Sequence, residues 1–311
     1  MKDERHYVRK PLEDMNVIDD FLFTEMVTDE VRGPEVCRII LSRVLKREVG
    51  EISYEVQKAV PGVSESSHGI RLDAYIREKR CPSKDNRSDI SVYDIEPDNK
   101  SSKKIWLPRR SRYYGSLIDS KLLKAGIDYD KLPDLITIFI LSYDPFDMGN
   151  MYYEAGTTLK THPEIPYNDG MRRIYLYVNG KLPEDATEDD RKLQNLLKYI
   201  GSSISDNVVD EKIEKLDSIV RETKADKNVG VRYVKSWEWE REIREEVTEE
   251  VTEEVTEAVT KAVTEAVTKA VKKEDSVIIE AERERADKAE KDKSRLEAEL
   301  AKYKAKFGEI A

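Results

Sequence analysis

The stretch YDIEPDN, Tyr93 to Asn99, sets three carboxylates at alternate positions. Side chains on an extended strand alternate with a period of two, so Asp94, Glu96 and Asp98 point the same way. Like charges on one face repel, and a divalent cation would offset that repulsion. Hard ions such as Mg2+, or Mn2+ in its place, take oxygen ligands. A further carboxylate, Asp73, lies in the preceding strand-like segment GIRLDAYIRE, Gly69 to Glu78. Its apolar alternation runs through Ile70, Leu72, Ala74 and Ile76, with Asp73 and Tyr75 opposite. Acidic groups on two successive strands can hold a metal ion, which makes Asp73, Glu96 and Asp98 the candidate ligands. A bound cation activates water and neutralises charge on a phosphate undergoing attack. Asp94 reads as an edge or hydrogen-bonding residue rather than a ligand.

The segment after these carboxylates is basic. KSSKKIWLPRRSRYY carries Lys100, Lys103, Lys104, Arg109, Arg110 and Arg112, and no acidic residue falls between Asp98 and Asp119. Cations beside a metal site suit a phosphate backbone. Tyr113 and Tyr114 can pack on sugar or base, although the spacing of Tyr113 to Leu117 also fits helix packing. Paired carboxylates also serve glycoside hydrolysis. Sugar sites carry aromatic platforms, however, and here cations follow instead.

The elements that must position these groups are legible around them. Asp19 to about Lys46 reads as helix, with Pro34 just inside a second start and Val36, Ile39, Ile40, Arg43 and Val44 on one face. Ile52 to Val60, Gly69 to Glu78 and Ser91 to Asn99 read as strands, the last ended by Pro97. KRCPSKDNRSD is a hairpin loop between the second and third. Arg109 to Gly126 reads as a helix with Tyr113, Leu117, Leu122 and Leu123 near one stripe. LITIFILSYDPF reads as a strand buried on both faces. A strand at Met171 to Gly180 and helices near Glu188 to Ile200 and Val208 to Lys224 complete the core. Three strands, a crossover helix and a fourth strand imply a mixed α/β sheet with helices packed on it.

Asp73 with AYIRE, a loop, YDIEPDN, then LPRRSRYYGSLIDSKLLKAGIDYDKL and LITIFIL together resemble the PD-(D/E)XK nuclease superfamily. The likeness is greatest to the nuclease-family transposases related to the recombination-promoting nucleases, and it spans Asp19 to Trp239. It implies a restriction-endonuclease-like mixed sheet flanked by helices and Mg2+-dependent DNA cleavage in recombination or transposition. The family's third strand carries Ile-Glu, a variable residue, then Gln or Lys. Ile95 and Glu96 match, and Asp98 stands where Gln or Lys is expected. The resemblance therefore implies a catalytic group of Asp73, Glu96 and Asp98, with Lys100 supplying a cation from beyond the strand. It implies a DNA-binding group of Lys103, Lys104, Arg109, Arg110, Arg112 and Tyr113. Asp20 or Glu35 supplies the additional acidic residue found in some of these folds. Asp98 also admits the alternative of a non-cleaving member that serves as a DNA-binding or oligomeric interaction module.

Composition sets the remaining bounds. The chain has 311 residues, 38% of them charged, and a net charge of −10, which argues against coating nucleic acid through bulk positive charge but leaves room for a local basic patch. Cys37 and Cys81 lack metal-type spacing, and His6, His68 and His162 are scattered. The charged start lacks an apolar signal core and LITIFIL is too short to span a bilayer, so a cytoplasmic protein without a membrane partner is expected. The organisation reads as an arm over 1–18, the nuclease-like domain over 19–240, with Trp237 and Trp239 sealing its end, and a helical tail over 241–311. In the tail, valine recurs every four residues from Val247 to Val271. Four residues overshoot a helical turn by about 40°, so this stripe winds around the helix in a right-handed sense. Beyond it, Ala289, Leu296 and Tyr303, and Leu300 and Phe307, are spaced by seven. This suggests a weak coiled coil through which the chain forms a homo-oligomer.

Overall fold

The computed structural model describes residues 10–60, 70–79, 89–123 and 125–307, with the main chain alone for Lys103 and 303–307. His6, His68, Cys81 and nearly all of the hairpin loop lie outside the described residues. The chain divides into two compact units, Met1–Lys235 and Ser236–Ala311.

The first unit is built on a six-stranded sheet in the order β1-β2-β3-β4-β6-β5. The strands are β1 (Ile52–Val60), β2 (Ile70–Lys79), β3 (Ile90–Asp98), β4 (Asp134–Leu141), β5 (Tyr152–Ala155) and β6 (Met171–Tyr177). β1, β2 and β3 pair antiparallel; β3, β4 and β6 pair parallel; β5 adds antiparallel at the β6 edge. This is the expected mixed α/β sheet, with β5 additional. β4 is buried from Leu135 onward, as its unbroken apolar run demands. Pro97 does not end β3: it pairs with Ile140 of β4 and Asp98 pairs with Leu141. Pairing with β2 has already stopped at Ala74–Ile95, so proline's missing donor costs nothing on that open side.

Helices cover both faces. One face buries Tyr93, Ile95, Ile138 and Ile174 in a core with α1 (Asp20–Thr28), α2 (Gly33–Val44), α4 (Glu188–Gly201) and α5 (Glu211–Ala225). Thr187 forms a capping box with Asp190 at the start of α4, and Asp210 caps α5 through the N–H groups of Lys212 and Ile213. The other face receives α3 (Leu107–Leu122), which follows a 3-10 turn at Ser101–Trp106. Leu107, Ser111, Leu117 and Ile118 are buried on it. The Ser111 hydroxyl hydrogen-bonds the Tyr175 hydroxyl of β6 at 2.8 Å and so fixes the helix to the sheet. The buried stripe therefore runs through Tyr114, not Tyr113, which is exposed.

β2 is irregular at one point. Its pairing with β1 skips Asp73, and the opposing residue, Gln57, has a φ of 50°. Below this point Ala74 and Ile76 belong to the first core; above it Leu72 and Ile70 join the α3-side core with Tyr75. The four residues of the expected single apolar face are thus divided by a bend at Asp73. A left-handed non-glycine residue costs on the order of 1–3 kcal/mol, and such outliers concentrate where function requires them.

The second unit belongs to the long helix α6 (Lys227–Phe307). Within it every valine from Val247 to Val271 is about half exposed, and so are Leu296 and Leu300. Each threonine from Thr248 to Thr268 returns its hydroxyl to the carbonyl four residues earlier. Trp239 is 64% exposed. No helix among the described residues is long and apolar enough to cross a membrane.

Candidate metal centre

The bend at Asp73 frees a backbone donor. Its N–H, lacking a strand partner, donates to Glu96 Oε1 at 3.0 Å. One step past the last β2–β3 pair, Asp73 and Glu96 therefore meet, and the Glu96 carboxylate is held against β2. On β3, Asp94, Glu96 and Asp98 are all buried. Tyr93 and Ile95 go to the opposite core, so the alternation keeps the three carboxylates together on the α3 side.

Asp94 is not an edge residue. β3 is flanked by β2 and β4, and the Asp94 side chain is fully buried. Among the described residues no N–H or O–H donor reaches either of its oxygens. Its carboxyl neighbour, Glu96, is another acceptor when ionised. Burial pushes Asp94 up to about 8; a hydrogen bond shared with Glu96 when one of the two carboxyls is protonated pulls it down, and the charge of Asp73 raises it further. Burial likewise raises Glu96 well above the usual carboxylate range, with Asp94 and Asp73 pushing the same way. Asp73 is pushed up to about 7, first by burial and then by Asp20 at the start of α1, while Arg110 and Arg71 pull it down. Of the two acidic residues suggested on the preceding helices, Asp20 thus faces the site; Glu35 pairs with Arg38 at 3.8 Å.

Asp98 has a different environment. Its Oδ2 accepts from Arg110 Nη2 at 2.5 Å and from the Tyr143 hydroxyl at 3.2 Å, and its Oδ1 from the Lys100 N–H at 2.8 Å. Lys100 reaches the site through its backbone, and its side chain is exposed. Arg110 lies over the Phe139 ring, 5.2 Å from the centroid. Tyr114, one helical turn further on, packs towards the same ring and is pushed up to about 12 by burial and the Glu96 charge.

The basic run is divided by these contacts. Arg110 belongs to the carboxylate cluster. Lys104 pairs with Asp147. Arg109, Arg112 and Tyr113 are exposed on α3, and Lys103 lies in the preceding turn. A separate cleft of about 550 Å3, lined by Ser42, Arg43, Lys46 and Lys212 among others, holds cations that are already paired with Asp210, Asp190 and Glu48. It offers no uncompensated charge comparable to Asp94.

Three carboxyls raised together mark a place where negative charge lacks compensation. Asp73, Asp94 and Glu96 fit a hard cation in charge and donor type, and the orphaned oxygens of Asp94 are the observation behind that fit. Among the described residues, no three His, Cys, Asp or Glu side chains stand as a ready-made metal cage. Mg2+ does not require one, because it keeps several waters and binds through one or two carboxylates plus substrate phosphate. No family model, curated protein or solved structure matches the chain.

Proposed function

We propose that the chain is a Mg2+-dependent DNA endonuclease of the PD-(D/E)XK type, serving recombination or transposition. The observation that carries this reading is the buried carboxylate of Asp94, which no N–H or hydroxyl donor among the described residues reaches, packed with Glu96 and Asp73 at the bend of β2. An apolar environment tolerates such a group only if a proton or a cation joins it. Asp73 and Glu96 hold the metal ion, and Asp94 adds negative charge behind them. The ion, when bound, supplies Lewis acidity and a water of lowered pKa. The chain supplies the rest. Glu96 is oriented by the Asp73 N–H, Tyr114 and Phe139 keep bulk water from the carboxylates, and exposed Arg109 and Arg112 meet the DNA backbone beside them.

Plasmid incubated with the purified protein and Mg2+ tests this reading. Nicking or linearisation that is abolished by EDTA, by Asp73→Ala and by Glu96→Ala is expected. Equal nicking by all three proteins overturns it. The second reading, a non-cleaving module, draws on Asp98, whose carboxylate is already engaged by three donors. It predicts DNA binding that neither metal nor these substitutions change.

A further inference from the structure

Asp98 occupies the position at which Gln or Lys is expected, yet the structure supplies a cation there by another route. Arg110 comes from α3, twelve residues on, and forms an ion pair with Asp98 at 2.5 Å. Asp98 is itself 8% exposed and is fixed from two further sides by Tyr143 and the Lys100 N–H. A carboxylate saturated in this way has little left to offer a metal ion. It has what is needed to set the rotamer of a guanidinium.

The rest of Arg110 faces the cluster. Its charge favours ionisation of both Asp73 and Asp94, and the Glu96 charge in turn favours its own protonated form. Its Nε is buried and makes no hydrogen bond among the described residues, so the fork retains donor capacity beyond Asp98. The side chain is nevertheless 27% exposed, which leaves it reachable from solvent. The Phe139 ring beneath it limits the directions it can take. A planar, permanently charged group clamped beside carboxylates is suited to a phosphate oxygen.

We infer that Arg110 is the fixed cation of this site, that it binds the phosphate next to the scissile bond, and that Asp98 is its positioning residue rather than a metal ligand. This inference rests on the nuclease reading above, and it exchanges the roles that the local sequence suggests for the two residues. Motif position 98 carries the anchor, and the charge arrives from the helix.

Mg2+ titration calorimetry on the full-length protein, with cleavage measured in parallel, separates the possibilities. Arg110→Met removes a positive charge from beside the carboxylates, so Mg2+ binding tightens by about threefold while cleavage falls by about 100-fold. Arg110→Lys recovers part of the cleavage rate. Asp98→Asn, which keeps the shape and the Tyr143 contact, leaves Mg2+ affinity within about threefold and lowers cleavage as Arg110→Met does. The double variant is no worse than either single one, because the two residues act as one unit. Asp98→Asn weakening Mg2+ binding as strongly as Asp73→Asn would make Asp98 a ligand and overturn the inference. So would additive losses in the double variant, or an Arg110→Met protein that keeps wild-type cleavage. Thermal melting of each variant checks that the comparison is between folded proteins. A wild-type protein that neither binds Mg2+ nor cleaves DNA defeats the nuclease reading itself, an outcome distinct from these.

Discussion

The Asp73 N–H donates to the Glu96 carboxylate at 3.0 Å, across a point where β2 has lost its regular pairing on both sides. The bend and the acidic site are one feature. An unbroken ladder would spend that donor on a strand partner, leaving Glu96 without the contact that orients it.

The uncompensated Asp94 carboxyl gives a first prediction. Asp94→Asn replaces it with a neutral amide that can donate to Glu96. Melting in EDTA should rise by several degrees, since an unsatisfied buried group costs about 1–3 kcal/mol. Saturating Mg2+ should raise the wild-type melting temperature and raise that of the variant much less. Calorimetry in EDTA and in Mg2+ measures both. A less stable variant in EDTA would show that Asp94 is satisfied in the folded protein.

Glu78 carries the acid limb of the stability profile. Burial raises its carboxyl, but Arg47, the Tyr93 hydroxyl and the Gly50 N–H outweigh burial and hold it down to about 2. A carboxyl lowered in the folded state from 4.5 contributes stability that is full above the unfolded value. That contribution is lost as pH falls through 4.5 towards 2. Its size is about 2 kcal/mol once screening at the half-exposed Arg47 is allowed for. Glu78→Gln should flatten the dependence of urea midpoint on pH across this window. A variant with the wild-type slope would place the acid sensitivity elsewhere.

Gly180 has no room for a side chain. A Cβ there would lie 2.2 Å from Met151 Cα and 2.4 Å from its nitrogen, both backbone atoms that cannot rotate away. Gly180→Ala should cost about 2 kcal/mol or more, read as a lower urea midpoint. Gly115→Ala on α3 meets the mobile end of Met171 and should cost clearly less. Equal costs would contradict the packing described for Met151 against the turn after β6.

The tail gives a prediction about assembly. Each four-residue repeat advances the valine stripe by about 40°, so a straight partner helix meets only about three successive valines. Assembly through it should therefore be weak and depend on concentration. Light scattering should show a mass above that of one chain at high concentration and a single-chain mass once Ser236–Ala311 is deleted. A mass per chain unaffected by the deletion would remove the tail from assembly.

Much of the sheet was legible because its strands announce themselves. Ile52 to Val60 alternates, LITIFIL is continuous, and the observed β1 and β4 follow both. β5 was not, because four residues in a polar stretch, Tyr152–Ala155, carry no period. Strand phase is what singles out Asp73 and Glu96 as candidates. The same phase placed Asp94 beside Glu96, and that shared parity was the available signal, but an aspartate on a strand is most often solvated. The Arg110–Asp98 pair joins a strand end to a helix through an intervening turn, and no periodicity spans such a connection. Tyr113 lies out of phase with the buried face of α3, and Tyr114 lies on it. The helix begins at Leu107, and the stripe Leu107, Arg110, Ser111, Tyr114, Leu117, Ile118 has the spacing of one face. The Asp73 bend depends on Gln57 taking a left-handed conformation that glutamine rarely adopts.

Mg2+ titration of the wild-type protein at neutral pH, beside Glu96→Gln, measures whether Asp73 and Glu96, with the charge of Asp94 behind them, hold a divalent cation. A saturable heat in the wild type that disappears in the variant is the predicted result. Identical titrations of the two proteins would contradict it.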